Sequence, residues 1–393
     1  MTSFDLSRLA IKRLLARLEA GNLTIVTPGG ERIEHRGIRP GPNAVMVLHR
    51  WRALTRLALH GDMGLAEAYI DQDWSSPDLA AVLELGAINL RAQEGIPATT
   101  TFKRFANRLR HWGRSNTRSG SRRNIVAHYD LGNDFYTRWL DPDMQYSSAV
   151  FAGADSSLDD AQTHKLDLII ERLGIQGGER VLEIGIGWGG LAERLVRRGC
   201  QVTGLTLSPS QLEYARQRLA ANPGNGHADL RLMDYRDVDG TFDRIVSIEM
   251  IEAVGEAYWP SYFRTIKERL APGGRALVQA ITIAEERFQS YRAEVDFIQR
   301  YVFPGGMLPT KAEMRAQGAR AGLVLENAMT FGLSYARTLN VWNQRFQGEW
   351  SNIEKMGFPV AFKRLWEYYL AYCEAGFRSG ATDVGHYVYV RPR

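Results

Sequence analysis

The sequence predicts an α/β protein: a doubly wound, mostly parallel sheet with helical additions, preceded by a smaller N-terminal α+β domain. Three observations carry this. From residue 125 onward, apolar strand-length runs alternate with helix-length segments. The first run ends in a glycine-rich turn that opens a helix, "VLEIGIGWGGLAERL" (181–195). A stretch with no Asp or Glu, residues 102–124, separates that half from a differently textured first hundred residues. Alternation with short connections is the pattern of helices crossing over both faces of a parallel sheet.

The chain begins "MTSFDLSRLAIKRLLARLEAG", with apolar and basic residues at roughly helical spacing. It lacks the unbroken apolar core and small-residue cleavage site of a signal peptide, so it reads as an amphipathic helix of a cytosolic protein. Further on, "GDMGLAEAYIDQDWSSPDLAAVLELG" sets turn signals before an apolar helical run, and residues 1–100 are taken as one domain. "FKRFANRLRHWGRSNTRSGSRRN" then carries Lys103, Arg104, Arg108, Arg110, Arg114, Arg118, Arg122 and Arg123, with Ser, Gly and Asn crowding its second half. Residues 101–124 are a basic linker, either a solvated connector or a patch for an anionic partner such as a phospholipid surface or a nucleic acid. Charge alone does not choose.

Composition bounds the rest. The 393 residues are 45% hydrophobic and 24% charged, with a net charge of +5, which suits a globular chain of two domains. No apolar stretch approaches the ~18 residues that cross a bilayer. Cys200 and Cys373 stand far apart and suggest neither a disulfide framework nor a zinc site. The dispersed histidines show no ligand spacing, so no metal is predicted.

In the second half, strands are expected at 180–187, 201–207, 229–234, 243–250 and 275–283, with helices at 189–199, 208–221 and 258–271 between them. After residue 310 the chain reads as mostly helical, notably 337–347 and 360–377. Gly185, Gly187 and Gly189 allow a tight turn and close backbone approach to a ligand at a helix N-terminus. A dinucleotide site begins similarly, and Gly190 even fills its third glycine position. The second strand, however, ends in "LTLSPSQ", with Thr206, Ser208 and Gln211 but no carboxylate. A carboxylate on the first strand (Glu183) and "LMDYRD", with Asp234 and Tyr235 after the third, fit an S-adenosylmethionine site instead. One residue breaks the pattern of the last strand: Gln279 sits inside the apolar run "GRALVQAITI". A buried amide without partners is costly, so Gln279 lies at an open strand end or holds something polar.

"HYDLGNDFYTRWLDPDMQYSSAVF" (128–151), "VLEIGIGWGGLA", "GLTLSPSQ", "DRIVSIEMIEAVG" and "FIQRYVFPGGMLP" together closely resemble the cyclopropane-fatty-acyl-phospholipid synthase family. The resemblance covers residues 125–393, and the first hundred residues resemble the extra domain of full-length members. It implies a class I, Rossmann-like methyltransferase fold at 125–393. It also implies methyl transfer from S-adenosylmethionine to a cis double bond of a phospholipid acyl chain. By the same resemblance Tyr146 and Ser147 close over the cofactor, and the glycine loop approaches its methionine part. Thr206, Ser208 and Gln211 lie by the ribose, Tyr235 and Arg236 by the adenine, and "YVFPGGMLP" lines the acyl tunnel.

Ring closure in that family is assigned to a bound bicarbonate held by a Cys, a Glu, a His and a Tyr. Glu252 and Tyr335 match two of these holders, while Ser148 stands in place of the Cys and Gln279 in place of the His. The family's "EHVG" reads "EAVG" here, with Ala253. Ser148 offers a hydroxyl and Gln279 offers N–H donors, but glutamine cannot relay a proton. Glu249, where familiar members carry glycine, ends the fourth strand. It is read either as a partner of a nearby Arg or as a protein-borne base. Cys373 aligns with a cysteine assigned a catalytic role in the family, although a thiol among aromatics is more often a packed small residue. His128 is expected to fix local structure.

The leading expectation is a lipid-modifying C-methyltransferase at the inner face of the membrane. It gives a cyclopropane or a methyl- or methylene-branched acyl chain, with the N-terminal domain and basic linker on anionic head groups. Bicarbonate is in question as its cofactor, and the oligomer, a homodimer among the options, is left open. The alternatives are a small-molecule methyltransferase and a non-catalytic lipid- or S-adenosylmethionine-binding protein. No Asn-Pro-Pro-aromatic or Asp-Pro-Pro-aromatic motif supports a nucleic acid as substrate.

Overall fold

Apolar residues that alternate with polar ones in the first domain, and run together in the second, set two sheets of different kinds. In the computed structural model, residues 11, 15–16, 18–91 and 131–393 are described. Most of the N-terminal helical segment, the basic linker and His128 lie outside the described residues. The chain forms two compact units, one holding the residues up to Thr101 together with Trp342–Ala381, the other residues 102–341 with Thr382–Arg393.

The first unit is built on four strands, β1 (Ala20–Val26), β2 (Arg32–Arg36), β3 (Arg39–Leu48) and β4 (Trp74–Ser75), in the order β2-β1-β3-β4. Leu23, Ile25, Ala44, Met46 and Leu48 supply its buried face. Helices α1 (Arg52–Ile70, bent at Gly61) and α2 (Leu79–Arg91) belong to it. Helix α9 (Val360–Arg378) packs here too. Arg364 ties it down, donating to the carbonyls of Tyr69 and Trp74 at 2.6 and 2.9 Å, with its guanidinium over the Tyr69 ring. Residues 342–381 thus join the N-terminal sheet rather than extending the sheet that carries the glycine loop.

In the second unit, β5 (Arg180–Ile184), β6 (Gln201–Thr206), β7 (His227–Leu232), β8 (Phe242–Ile248) and β9 (Leu270–Ile283) are all parallel. They match the five expected strands. Two further strands, β10 (Val324–Thr330) and β11 (Thr382–Val390), complete the order β10-β11-β9-β8-β5-β6-β7. β11 runs antiparallel to β9 and β10 antiparallel to β11, both in the region read as mostly helical but outside 337–347 and 360–377, so the sheet is larger than the five strands expected.

Helices cover both faces. Leu166, Ile169 and Leu173 of α3 (Leu158–Leu173) and Leu191 and Leu195 of α4 (Gly190–Arg197) pack on Val181, Val246, Leu277 and Val388. On the other face Tyr262, Phe263 and Ile266 of α6 (Trp259–Arg269) and Met314 of α7 (Lys311–Arg320) meet Ile245, Ala276, Val278 and Tyr389. Helix α5 (Pro209–Ala221) follows β6, and α8 (Gly332–Gly348) follows β10. With both faces covered, ligands are left the carboxyl edge of the strands, where open α/β sheets bind them. Among the described residues no helix is long and apolar enough to cross a membrane.

Candidate active site

At the carboxyl end of β8 the chain turns sharply. Glu249 has φ +51°, a left-handed conformation rare outside glycine, and its N–H donates to the Gln279 carbonyl of neighbouring β9 at 2.8 Å. Such backbone strain concentrates at functional sites. The turn delivers the Glu249 carboxylate into a set of donors. Oε1 accepts from the Ser148 N–H and from the Gln279 amide, both at 2.8 Å, and Oε2 accepts from the Tyr335 hydroxyl at 2.7 Å. Residues far apart in sequence converge here, from the 145–150 segment, β8, β9 and α8.

The same residues were expected to hold bicarbonate. Their donors are turned on a carboxylate of the chain itself, and among the described residues no Arg bonds to Glu249, the partner given as the alternative expectation. Ser148 contributes its backbone N–H rather than its hydroxyl. That hydroxyl donates to the adjacent Ala149 carbonyl at 2.9 Å, a short-range bond common for serine. Burial pushes the Glu249 carboxyl above the usual range. The N–H of Ser148, the Tyr335 hydroxyl, the Gln279 amide and the Lys165 ammonium oppose that rise without cancelling it.

Glu252, one turn further on, accepts from the Ile281 N–H through Oε1, while Oε2 has no partner among the described residues. Burial, and then the neighbouring Glu249, raise its carboxyl to about 8. The donors on Glu249 favour its ionised form, whereas burial and the neighbouring Glu249 favour the protonated form of Glu252. The Glu252 carbonyl also accepts from Met307 N–H at 2.8 Å, which brings the "YVFPGGMLP" segment against it.

Lys165 was missed. It is fully buried on α3, donating to Gln145 Oε1 at 3.0 Å and Ser147 Oγ at 2.9 Å. Burial lowers it to about 8, opposed by Asp141 and Glu249. Its place on the buried stripe Ala161, Gln162, Lys165, Leu166, Ile169 was a readable signal, since a solvated lysine belongs on the opposite face.

The glycine loop follows β5. Gly185 has φ +87°, and a Cβ there would lie 2.5 Å from Met250 Cγ, whereas beside Gly187 there is open space within 4 Å. Glu183, on β5, is buried with Oε2 unpartnered among the described residues, and burial raises it to about 8. Open space beside a glycine loop and a carboxyl oxygen awaiting a donor fit a ligand with a cationic, hydroxylated body such as S-adenosylmethionine.

Past β6, Thr206 donates to Gln211 Oε1 at 3.1 Å, and Ser208 caps α5 by accepting from Gln211 N–H. These three form one local network at a helix start. Past β7, Asp234 and Arg236 form an ion pair of 2.6 Å, and Tyr235 packs edge-on against Tyr262. Tyr146 packs against Tyr136 and Trp139, in an aromatic group that Trp188 of the glycine loop joins. Cys373 lies on α9 in the first unit, whereas the other expected site residues all belong to the second.

Sheet order, glycine loop and flanking carboxyls define an S-adenosylmethionine-dependent methyltransferase of the class I, Rossmann-like fold. The chain belongs to the mycolic acid cyclopropane synthetase family, whose sequence profile matches residues 116–387. It is 41% identical over 362 residues to the tuberculostearic acid methyltransferase UfaA1 of Mycobacterium tuberculosis, covering 88% of this chain and 83% of that protein. To the cyclopropane-fatty-acyl-phospholipid synthase of Escherichia coli K12 it is 36% identical over 346 residues, covering 86% and 85%. The crystal structure of mycolic acid cyclopropane synthase CmaA1 complexed with SAH and CTAB superimposes with a TM-score of 0.65 at 30% identity. It spans 69% of this chain and 98% of that one.

Proposed function

We propose that this enzyme methylates a double-bond carbon in an acyl chain of a membrane phospholipid, and that Glu249 is the base that completes the reaction. The observation that carries this is the Glu249 carboxylate held by Ser148 N–H, the Gln279 amide and the Tyr335 hydroxyl. S-adenosylmethionine, when bound, supplies an electrophilic sulfonium methyl. Glu183 and the backbone at Gly185, Gly187 and Gly189 would hold its methionine part, with Thr206, Ser208 and Gln211 toward the ribose. Asp234, Tyr235 and Arg236 would sit at the adenine, and Tyr146 and Ser147 would cover it.

Glu249 takes the proton that the methylated, positively charged acyl chain must lose. If that proton comes from the new methyl, a cyclopropane closes. If it comes from the adjoining chain carbon, a branch with a double bond remains. Either way the proton ends on Glu249 and the C–H electron pair stays in the chain. Tyr146 presents an aromatic face that tolerates the transient charge. Glu252, protonated, adds no second negative charge beside the base. A base already built into the chain makes bound bicarbonate dispensable.

The names of the two relatives support a lipid substrate, one a tuberculostearic acid methyltransferase and the other a cyclopropane-fatty-acyl-phospholipid synthase. Residues 1–100 and the basic stretch 101–124 are proposed to engage anionic head groups from the cytoplasmic side. The test is purified enzyme with S-adenosylmethionine and vesicles of unsaturated anionic phospholipid, followed by mass spectrometry of the acyl chains. The expected product gains one CH2. Retained unsaturation identifies a branch, and its loss a ring. No methylated lipid under any vesicle composition overturns the proposal.

A further inference from the structure

His386 lies on β11, directly across the antiparallel ladder from Gln279 of β9, so the two side chains share one face of the sheet. That face also carries α3 and its buried Lys165. His386 has no exposed surface. Its Nε2 lies 2.9 Å from Gln279 Oε1, its Nδ1 has no partner among the described residues, and the Phe331 ring packs edge-on at 4.9 Å.

The polar groups around Gln279 fix its orientation. Its Nε2 faces two acceptors, Glu249 Oε1 at 2.8 Å and the Ser148 carbonyl at 3.4 Å, so the NH2 must be on that side. Oε1 therefore faces His386 and needs a donor, so the imidazole proton must sit on Nε2. Nδ1 is then a bare lone pair, in keeping with its lack of a partner. Burial, and then Arg172 and Lys165, lower the ring to about 3, so it stays neutral through the physiological range.

We infer that His386 is a positioning residue for the reaction: a fixed, neutral Nε2–H donor that locks the Gln279 amide with its NH2 toward Glu249. This rests on the reading of Glu249 as the base. The lock matters because a glutamine amide has two nearly isosteric orientations. Without a donor at 386, Gln279 Oε1 is an orphaned buried acceptor as long as Glu249 is ionised. Protonating Glu249 also admits the flipped amide, in which Oε1 accepts from the carboxylic acid and the NH2 takes the unpartnered place beside residue 386, so the acid accepts both orientations and the carboxylate only one. Loss of the donor therefore favours the protonated base. Among the described residues, the other charged or titratable groups that face this cluster are Lys165 and Arg172 from α3, Tyr335 from α8 and Glu252 beyond β8.

Glu249 acts as a base only when ionised, so the acid limb of kcat/KM against pH reports its state. His386→Phe, which removes the donor, should move that limb upward by about one pH unit while keeping the high-pH plateau. His386→Gln, which returns an N–H donor, should restore the limb. In the wild-type protein, nitrogen-15 NMR of labelled histidine, assigned by the signal missing in His386→Gln, should show a neutral Nε2–H ring from pH 5 to 8. An Nδ1–H tautomer, titration within that range, or an unmoved limb in His386→Phe overturns the inference. Full activity of Glu249→Gln instead overturns the reading of the base, and the tautomer measurement does not depend on it.

Discussion

The phenol of Tyr335, on α8, and the carboxylate of Glu249, beyond β8, are joined by a hydrogen bond of 2.7 Å. A hydroxyl donor stabilises the ionised form of its carboxylate partner, here against the burial that raises it. Tyr335→Phe removes the donor and leaves the ring in place. The expected outcome is an acid limb of kcat/KM shifted to higher pH by about one unit, with S-adenosylmethionine affinity unchanged. An unshifted limb would detach Tyr335 from the chemistry.

Bicarbonate supplies a second prediction. With Glu249 already among the donors, wild-type turnover in carbon-dioxide-free buffer should equal turnover with added bicarbonate. Glu249→Gly empties the position and frees Ser148 N–H, the Gln279 amide and the Tyr335 hydroxyl. That variant should be inactive alone and recover in part with millimolar bicarbonate. Stimulation of the wild type by bicarbonate would contradict the account.

Glu183 makes cofactor affinity depend on pH. Burial raises its carboxyl to about 8 in the ligand-free protein, and the ionised form suits a cationic ligand. Because binding then requires loss of a proton, affinity should weaken as pH falls below about 8, by up to about tenfold per pH unit. Titration calorimetry of S-adenosylmethionine should show this slope, and Glu183→Gln should weaken binding and flatten it. A wild-type affinity flat from pH 8 to 6 would refute the assignment.

Gly185 tests the loop by stability. A side chain there would be strained at φ +87° and would meet Met250 Cγ at 2.5 Å. Gly185→Ala should cost about 2 kcal/mol, read as a lowered urea midpoint, because a left-handed backbone and a close contact are penalised together. Gly187→Ala has open space but shares the left-handed strain at φ +51°, so it should lower the midpoint less than Gly185→Ala while also weakening cofactor binding.

The parallel core of the second unit was legible because β5, β8 and β9 carry apolar runs bounded by glycine or polar turns, while the mostly polar edge strand β7 was placed by its position in the strand–helix alternation. Strand β11 was not. "TDVGHYVYV" follows directly on a long aromatic helix, and its role as a second neighbour of β9 comes from tertiary pairing. His386 was lost with it, since only the register opposite Gln279 gives the ring a partner. Gln279 and Glu249 were both visible as letters out of place. That each answers the other is a matter of geometry: Gln279 is a buried amide that is fully partnered, and Glu249 is what it holds. Ser148 shows the limit of reading side chains, since its useful group is a backbone N–H.

The most direct test of the central claim is turnover of labelled S-adenosylmethionine with unsaturated phospholipid vesicles by Glu249→Gln. The substitution keeps shape and removes the base. The expected result is a loss of about 10²-fold or more in turnover with cofactor binding intact, in line with the usual contribution of a general base. Full turnover with the same acyl product would contradict it.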